Sequence, residues 1–150
     1  MGSRLRYGLT VAVLAGAYYG LATLLFEKMP YASIPAWWLA AWPSRHAGLL
    51  AWFQTLNVIG ALVAALPIAL LVTWGVGRHK LWTALAIAAA TTVVVFVQAP
   101  ASGSLPSAHP ASAASLWLND LVLAGSLLFA VPLLVRLLAI LPSNNRWRVP

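Results

Sequence analysis

The chain contains no cysteine, which excludes disulfides, thiolate catalysis, iron–sulfur clusters and cysteine-ligated zinc. Acids are almost as scarce: Glu27 and Asp120 are the only two in 150 residues. Two carboxylates leave little material for general acid–base chemistry. Charged residues of both signs make up 7% of the chain, against about a quarter in a soluble domain. A water-facing surface cannot be built from so little charge, so the expected solvent is lipid. No Gly-x-Ser-x-Gly elbow or phosphate-cradling glycine loop is present, and Ser102-Gly103-Ser104 reads as loop chemistry.

What the chain has instead is apolar length. Hydrophobic residues make up 62% of it, and mean hydropathy is +0.87. Four runs approach the roughly 20 residues that a hydrocarbon core requires: about 7–26, about 53–76, 81–97 and about 116–141. Arg4 and Arg6, followed by Ala15-Gly16-Ala17, have the pattern of a signal peptide. The apolar run continues through Leu25, however, so we expect an uncleaved first helix. The expected fold is an all-α integral membrane protein, residues 1–150 forming one domain. Four transmembrane helices make a compact bundle, with a short interfacial helix in the first outer loop.

Orientation follows from the basic residues. Arg4, Arg6, Arg78, Lys80, Arg136, Arg146 and Arg148 fall on one side, and only Lys28 and Arg45 on the other. Under the positive-inside rule this asymmetry puts both termini in the cytoplasm. An Ala/Leu/Arg-rich bias points to a bacterial inner membrane. The formal net charge of +7 therefore serves topology, and no basic stripe with interleaved aromatics is available for nucleic acid. Trp37, Trp38, Trp42, Trp52 and Trp117 fall at the outer lipid interface, and Trp74, Trp82 and Trp147 at the inner one. Indoles favour that depth, with the ring in lipid and the N–H near water. Arg136 can snorkel to inner headgroups, and the tail with Arg146, Trp147 and Arg148 fits an anionic leaflet.

The connections differ in kind. Residues 75–80 make a tight basic turn containing His79, and 99–115 form an outer loop rich in Pro, Ser, Ala and Gly without Lys, Arg, Asp or Glu. That loop reads as a flexible or partner-ordered connector. In the first outer segment, 35–43, Pro35 can open a helix that Pro43 stops, with Trp38 and Trp42 on one face. It is too short to cross and should lie in the interface. Ser44 can cap a following helix that starts near Arg45, outside the membrane.

Gly8, Ala12, Gly16 and Gly20 form a small-residue stripe on the first helix, and Ala61, Ala65 and Ala69 form another on the second. Ala84, Ala88 and Thr92 repeat the pattern on the third. In lipid such stripes permit close backbone approach, and the expectation is packing within the bundle, with docking of a second chain as the alternative. Pro67 and Pro132 lie inside the second and fourth helices, where each removes a backbone hydrogen bond.

The residues with chemistry to offer gather near the outer ends: Glu27, Arg45, His46, Asn57, Gln98 and Asp120, with Gln54 and Asn119 beside them. Read functionally, they are an outward-facing pocket for a headgroup, small solute, proton or metal. Read plainly, helix ends are polar because they meet water. No metal is expected, because His46, His79 and His109 show no ligand spacing. No cofactor is expected either; a b-type haem needs histidines inside the membrane.

Asn57-Val58-Ile59-Gly60, with His109-Pro110-Ala111 before the last helix, looks like the four-helix HPP membrane family, a resemblance that implies small-anion transport. Ala111 stands where that family has a second proline, and the match covers only a handful of residues. The residues themselves point first to a non-catalytic accessory or assembly subunit of a larger membrane complex. Its partners would be membrane lipids and either a protein partner or further copies of itself within the bilayer. The alternatives are an oligomeric transporter of small solutes or lipids, and an enzyme acting on a lipid-soluble substrate such as a quinone.

Overall fold

A computed structural model describes residues 2–28, 34–76, 79–98 and 113–140. Among these there are five helices and no strand: α1 (Gly2–Lys28), α2 (Ala36–Ala40), α3 (Arg45–Gly75), α4 (Lys80–Gln98) and α5 (Ala113–Ile140). All but α2 are long and apolar enough to cross a membrane. The loop expected over 99–115, apart from its last residues in α5, lies outside the described residues, as do residue 141 and the C-terminal tail.

Local signals account for several boundaries. Pro35, with φ −63°, precedes α2, where a missing N–H does no harm. The Ser44 hydroxyl accepts a hydrogen bond from the Ala47 N–H at 3.2 Å and starts α3 at Arg45. The helix thus begins well ahead of the apolar run at 53. At its other end, His79 adopts φ 67°, the left-handed region, and its carbonyl accepts from both the N–H and the hydroxyl of Thr83 as α4 begins. Both α3 and α5 continue through their internal prolines, Pro67 and Pro132.

The four long helices form a ring in the order α1–α3–α5–α4, with α3 and α5 the most extensive pair. Consecutive helices α3 and α4 stand on a diagonal and meet only marginally. Directions follow from the hydrogen bonds. Thr83 pairs with Tyr7 and Thr91 with Ala15 at the same separation of 76 residues, so α1 and α4 run parallel. The Tyr18 hydroxyl donates toward Leu127 O at 3.2 Å and Ala61 O at 3.5 Å, joining α1 to α5 and α3. One end of the bundle therefore carries α2, the end of α1 and α4 and the start of α3 and α5. The other carries the α3–α4 turn.

The core is built largely from small residues at three- and four-residue spacing. Ala61, Ala64, Ala65, Ile68, Ala69 and Val72 are buried on α3; Thr83, Ala84, Ile87, Ala88 and Thr91 on α4; Leu127, Ala130, Val131 and Val135 on α5. Ala61 and Ala65 thus lie in the helix interface. On α1 the expected small-residue stripe does not face the bundle. Gly8, Ala12 and Gly16 are exposed and Gly20 is half-buried, and a Cβ added at any of the three glycines would meet nothing within 4 Å. The buried face of α1 is Ala15, Tyr18 and Ala22. The physical reason is the Tyr18 hydroxyl, which in an apolar medium must find an acceptor and so turns its own face inward. On α4 it is Thr91 that is fully buried, while Thr92 is half-buried and returns its hydroxyl to Ala88 O at 2.8 Å.

Unfolding measured in detergent micelles should separate the two faces of α1. Tyr18→Phe should lower stability by about 0.5–1.5 kcal/mol through the lost interhelical bond. Tyr18→Ala should cost roughly 3 kcal/mol or more through the cavity it leaves. Gly16→Leu should change it by no more than about 0.5 kcal/mol.

Candidate functional site

The α2 end holds two separate constellations. The first is aromatic. The short α2 lies against the first turns of α3, and Gly48 is what permits the approach: a Cβ there would stand 3.1 Å from Leu39 Cδ2 and 3.4 Å from Trp42 Cδ1. The Trp38 indole N–H donates to Gly48 O at 2.9 Å. Trp38 is also the hub of a cluster, with ring centroids 5.9 Å from Trp37, 5.9 Å from Trp42 and 5.3 Å from Trp52. Of the tryptophans assigned to a lipid belt, Trp38 and Trp52 are therefore half-buried in an intramolecular contact, whereas Trp37 and Trp42 are exposed. The Trp117 side chain lies outside the described residues.

The second constellation is polar. Asn57 Nδ2 on α3 donates to Asn119 Oδ1 on α5 at 3.2 Å, both half-buried. Asp120, the next residue, is exposed. Arg45 and His46 are exposed in the first turn of α3. Arg45 precedes Asn57 by twelve residues, about 18 Å along the helix axis. These residues do not meet in one pocket. Glu27 and Gln98 close α1 and α4 at the same end of the bundle, but their side chains lie outside the described residues, as does His109. Among the described residues no group of three His, Asp or Glu is placed to hold a metal ion.

Two donors at this end are left over. Trp52 Nε1 and Gln54 Nε2 are buried and have no hydrogen-bond partner among the described residues. Being two residues apart on a helix, they face different sides of α3 and do not form a single site. Gln54, three residues before Asn57, shares its side of the helix.

Tyr18, Tyr7, Thr83, Thr91 and Gly48 were not singled out by sequence reasoning, although they hold the arrangement together. A signal for Tyr18 was present: Ala15, Tyr18 and Ala22 have the spacing of one helical face. Compared with known proteins, the chain matches no family model, no curated protein and no solved structure. The likeness to the HPP family therefore rests on the few residues that carry it.

The polar pair and its exposed neighbour should respond differently to substitution. In detergent unfolding, Asn57→Ala should lower stability by about 0.6 kcal/mol, the average of interhelical side-chain bonds in membranes, and by no more than about 1.7 kcal/mol. Asp120→Asn should leave it within about 0.5 kcal/mol.

Proposed function

We propose that the protein is a multi-pass protein of a bacterial inner membrane with both termini in the cytoplasm. In this reading it acts as a non-catalytic accessory or assembly subunit of a larger membrane complex. The observation that carries the reading is the free face of α1. Gly8, Ala12 and Gly16 are exposed there, with open space above both glycines, while Ala15, Tyr18 and Ala22 satisfy the bundle from another face. In lipid, where apolar burial alone drives no association, small residues let a second helix bring its backbone close. Leu5, Leu9 and Val13 flank this face and are also exposed, offering side-chain contact around the close approach. The seven-to-two division of basic residues supports the orientation.

A second reading, an oligomeric carrier of small solutes or lipids, is favoured by one observation. The buried Gln54 Nε2 has no partner among the described residues and lies on the Asn57 side of α3, where a ligand's acceptor would satisfy it.

The test is gentle detergent extraction from native membranes, affinity purification and the mass of the intact particle, with Gly16→Leu run in parallel. A larger partner travelling stoichiometrically with the wild-type chain and lost from the still-folded variant is the expected result. A lone chain or homo-oligomer overturns the subunit reading. Reporter fusions at the termini should read cytoplasmic, and an external reading overturns the orientation.

A further inference from the structure

We propose that α2 is an interfacial foot: Trp38 and Trp52 clamp it to α3, while Trp37 and Trp42 seat it in the lipid headgroup layer and set how deep the bundle sits. The inference rests on the membrane-spanning reading above and concerns what covers one exposed surface.

Helix lengths give the first argument. α4 has 19 residues, about 28 Å of helix, close to the roughly 30 Å of a hydrocarbon core. α3 has 31, about 46 Å. Both helices meet at the same short turn, so α3 outruns α4 by about 18 Å at the far end. Tilt does not absorb the excess: fitting 46 Å into 30 Å needs a tilt of about 50°, beyond the observed range of roughly 0–40°. The register of Asn57 with Asn119 places the start of α5, Ala113, level with residue 51 of α3. The turns before it, Arg45–Leu50, therefore stand beyond the described part of α5 as well, at headgroup depth.

The second argument is where α2 is fastened. It packs on α3 and on no other helix among those described. Its contacts fall on Gly48 and Trp52, the stretch that straddles the start of α5. Trp38 spends its N–H on Gly48 O and is thereby removed from lipid duty. Trp37 remains 70% exposed and Trp42 40% exposed.

The third argument is composition, which selects the occupant. Residues 35–43 contain four apolar alanine or leucine residues, three tryptophans and two prolines, and no charge. An uncharged segment with two exposed indoles fits poorly in bulk water. It fits the boundary between acyl chains and headgroups, where the ring is apolar and the N–H can reach an ester or phosphate oxygen. Arg45 and His46, exposed immediately after this segment, are donors of the kind that lipid phosphates accept. The side of α3 that carries Gly48 and Trp52 continues in Ile59 and Val63, which are exposed.

The absence of cysteine makes a clean test available. The full chain is labelled with a nitroxide at single sites, Ala40→Cys, Val63→Cys or His79→Cys, and reconstituted in phosphatidylcholine–phosphatidylglycerol vesicles. Collision with oxygen and with a water-soluble nickel chelate then reads depth. The Val63 label should be oxygen-rich and the His79 label chelate-rich, with the Ala40 label between them. In the Trp37→Ala/Trp42→Ala background, the Ala40 label should shift toward the chelate. An Ala40 label as chelate-accessible as that at His79, with Val63 still in hydrocarbon, overturns the foot alone and turns its tryptophans to water or a protein partner. A Val63 label outside hydrocarbon overturns the spanning reading and the foot with it.

Discussion

A hydroxyl buried among apolar helices must find an acceptor, and the Tyr18 hydroxyl finds its acceptors on two other helices. Its distances to Leu127 O, 3.2 Å, and Ala61 O, 3.5 Å, place it between α5, which stands diagonally across the ring from α1, and α3, a neighbour of α1. Both carbonyls belong to helices and retain a second lone pair for a side-chain donor. The ring that carries the hydroxyl is fully buried and fills the space at the middle of the ring of helices. From this one placement the rotation of α1 follows. Ala15 and Ala22, on the same face, turn inward, and Gly8, Ala12 and Gly16 turn out.

The remaining contacts of α1 obey the same rule. Thr91 donates to Ala15 O at 3.2 Å, and Thr83 reaches Tyr7 at 3.3 Å, so α4 grips α1 by two hydroxyls about two turns apart. Between α3 and α5 the solution is different. There, beside the single Asn57–Asn119 hydrogen bond, small buried residues bring the helices close, and dispersion contact replaces the hydrophobic drive that lipid cannot supply. The bundle thus combines one tightly packed pair with a helix positioned by directional bonds. That division explains why α1 can present an open side without loosening the core.

Helix existence was legible because length and hydropathy are local properties. Ser44 and Pro35 were legible for the same reason, each acting within a turn of itself. The face that each helix buries was not. Gly16 and Gly20 carry the close-packing pattern, yet the choice fell to bonds between residues 43 and 109 positions apart. No periodicity within α1 records those partners. At the candidate site, Asn57 could be seen as a polar residue in an apolar run, but its partner Asn119 is 62 residues away. Likewise the spacing of Trp38 and Trp42 defines a shared face, whereas the space that admits α2 depends on Gly48 having no side chain.

The hydrogen-bond inventory also bears on where recognition can occur. Thr10, Thr23, Thr55, Thr73, Thr92 and Ser126 all return their hydroxyls to the carbonyl four residues earlier. A hydroxyl satisfied within its own helix has little to offer a neighbour. Thr83, Thr91 and Tyr18 are engaged inside the bundle. Along the membrane-facing sides, then, these side chains are committed before any partner arrives, and contact there must rely on shape. Glycine is the residue that makes shape available, because it lets one backbone reach another. At the α2 end the currency changes to exposed indoles and the Arg45 and His46 side chains, groups that act through orientation and charge. The chain therefore separates two kinds of exposed surface, one along α1 defined by shape and one at α2 defined by aromatic rings and basic side chains.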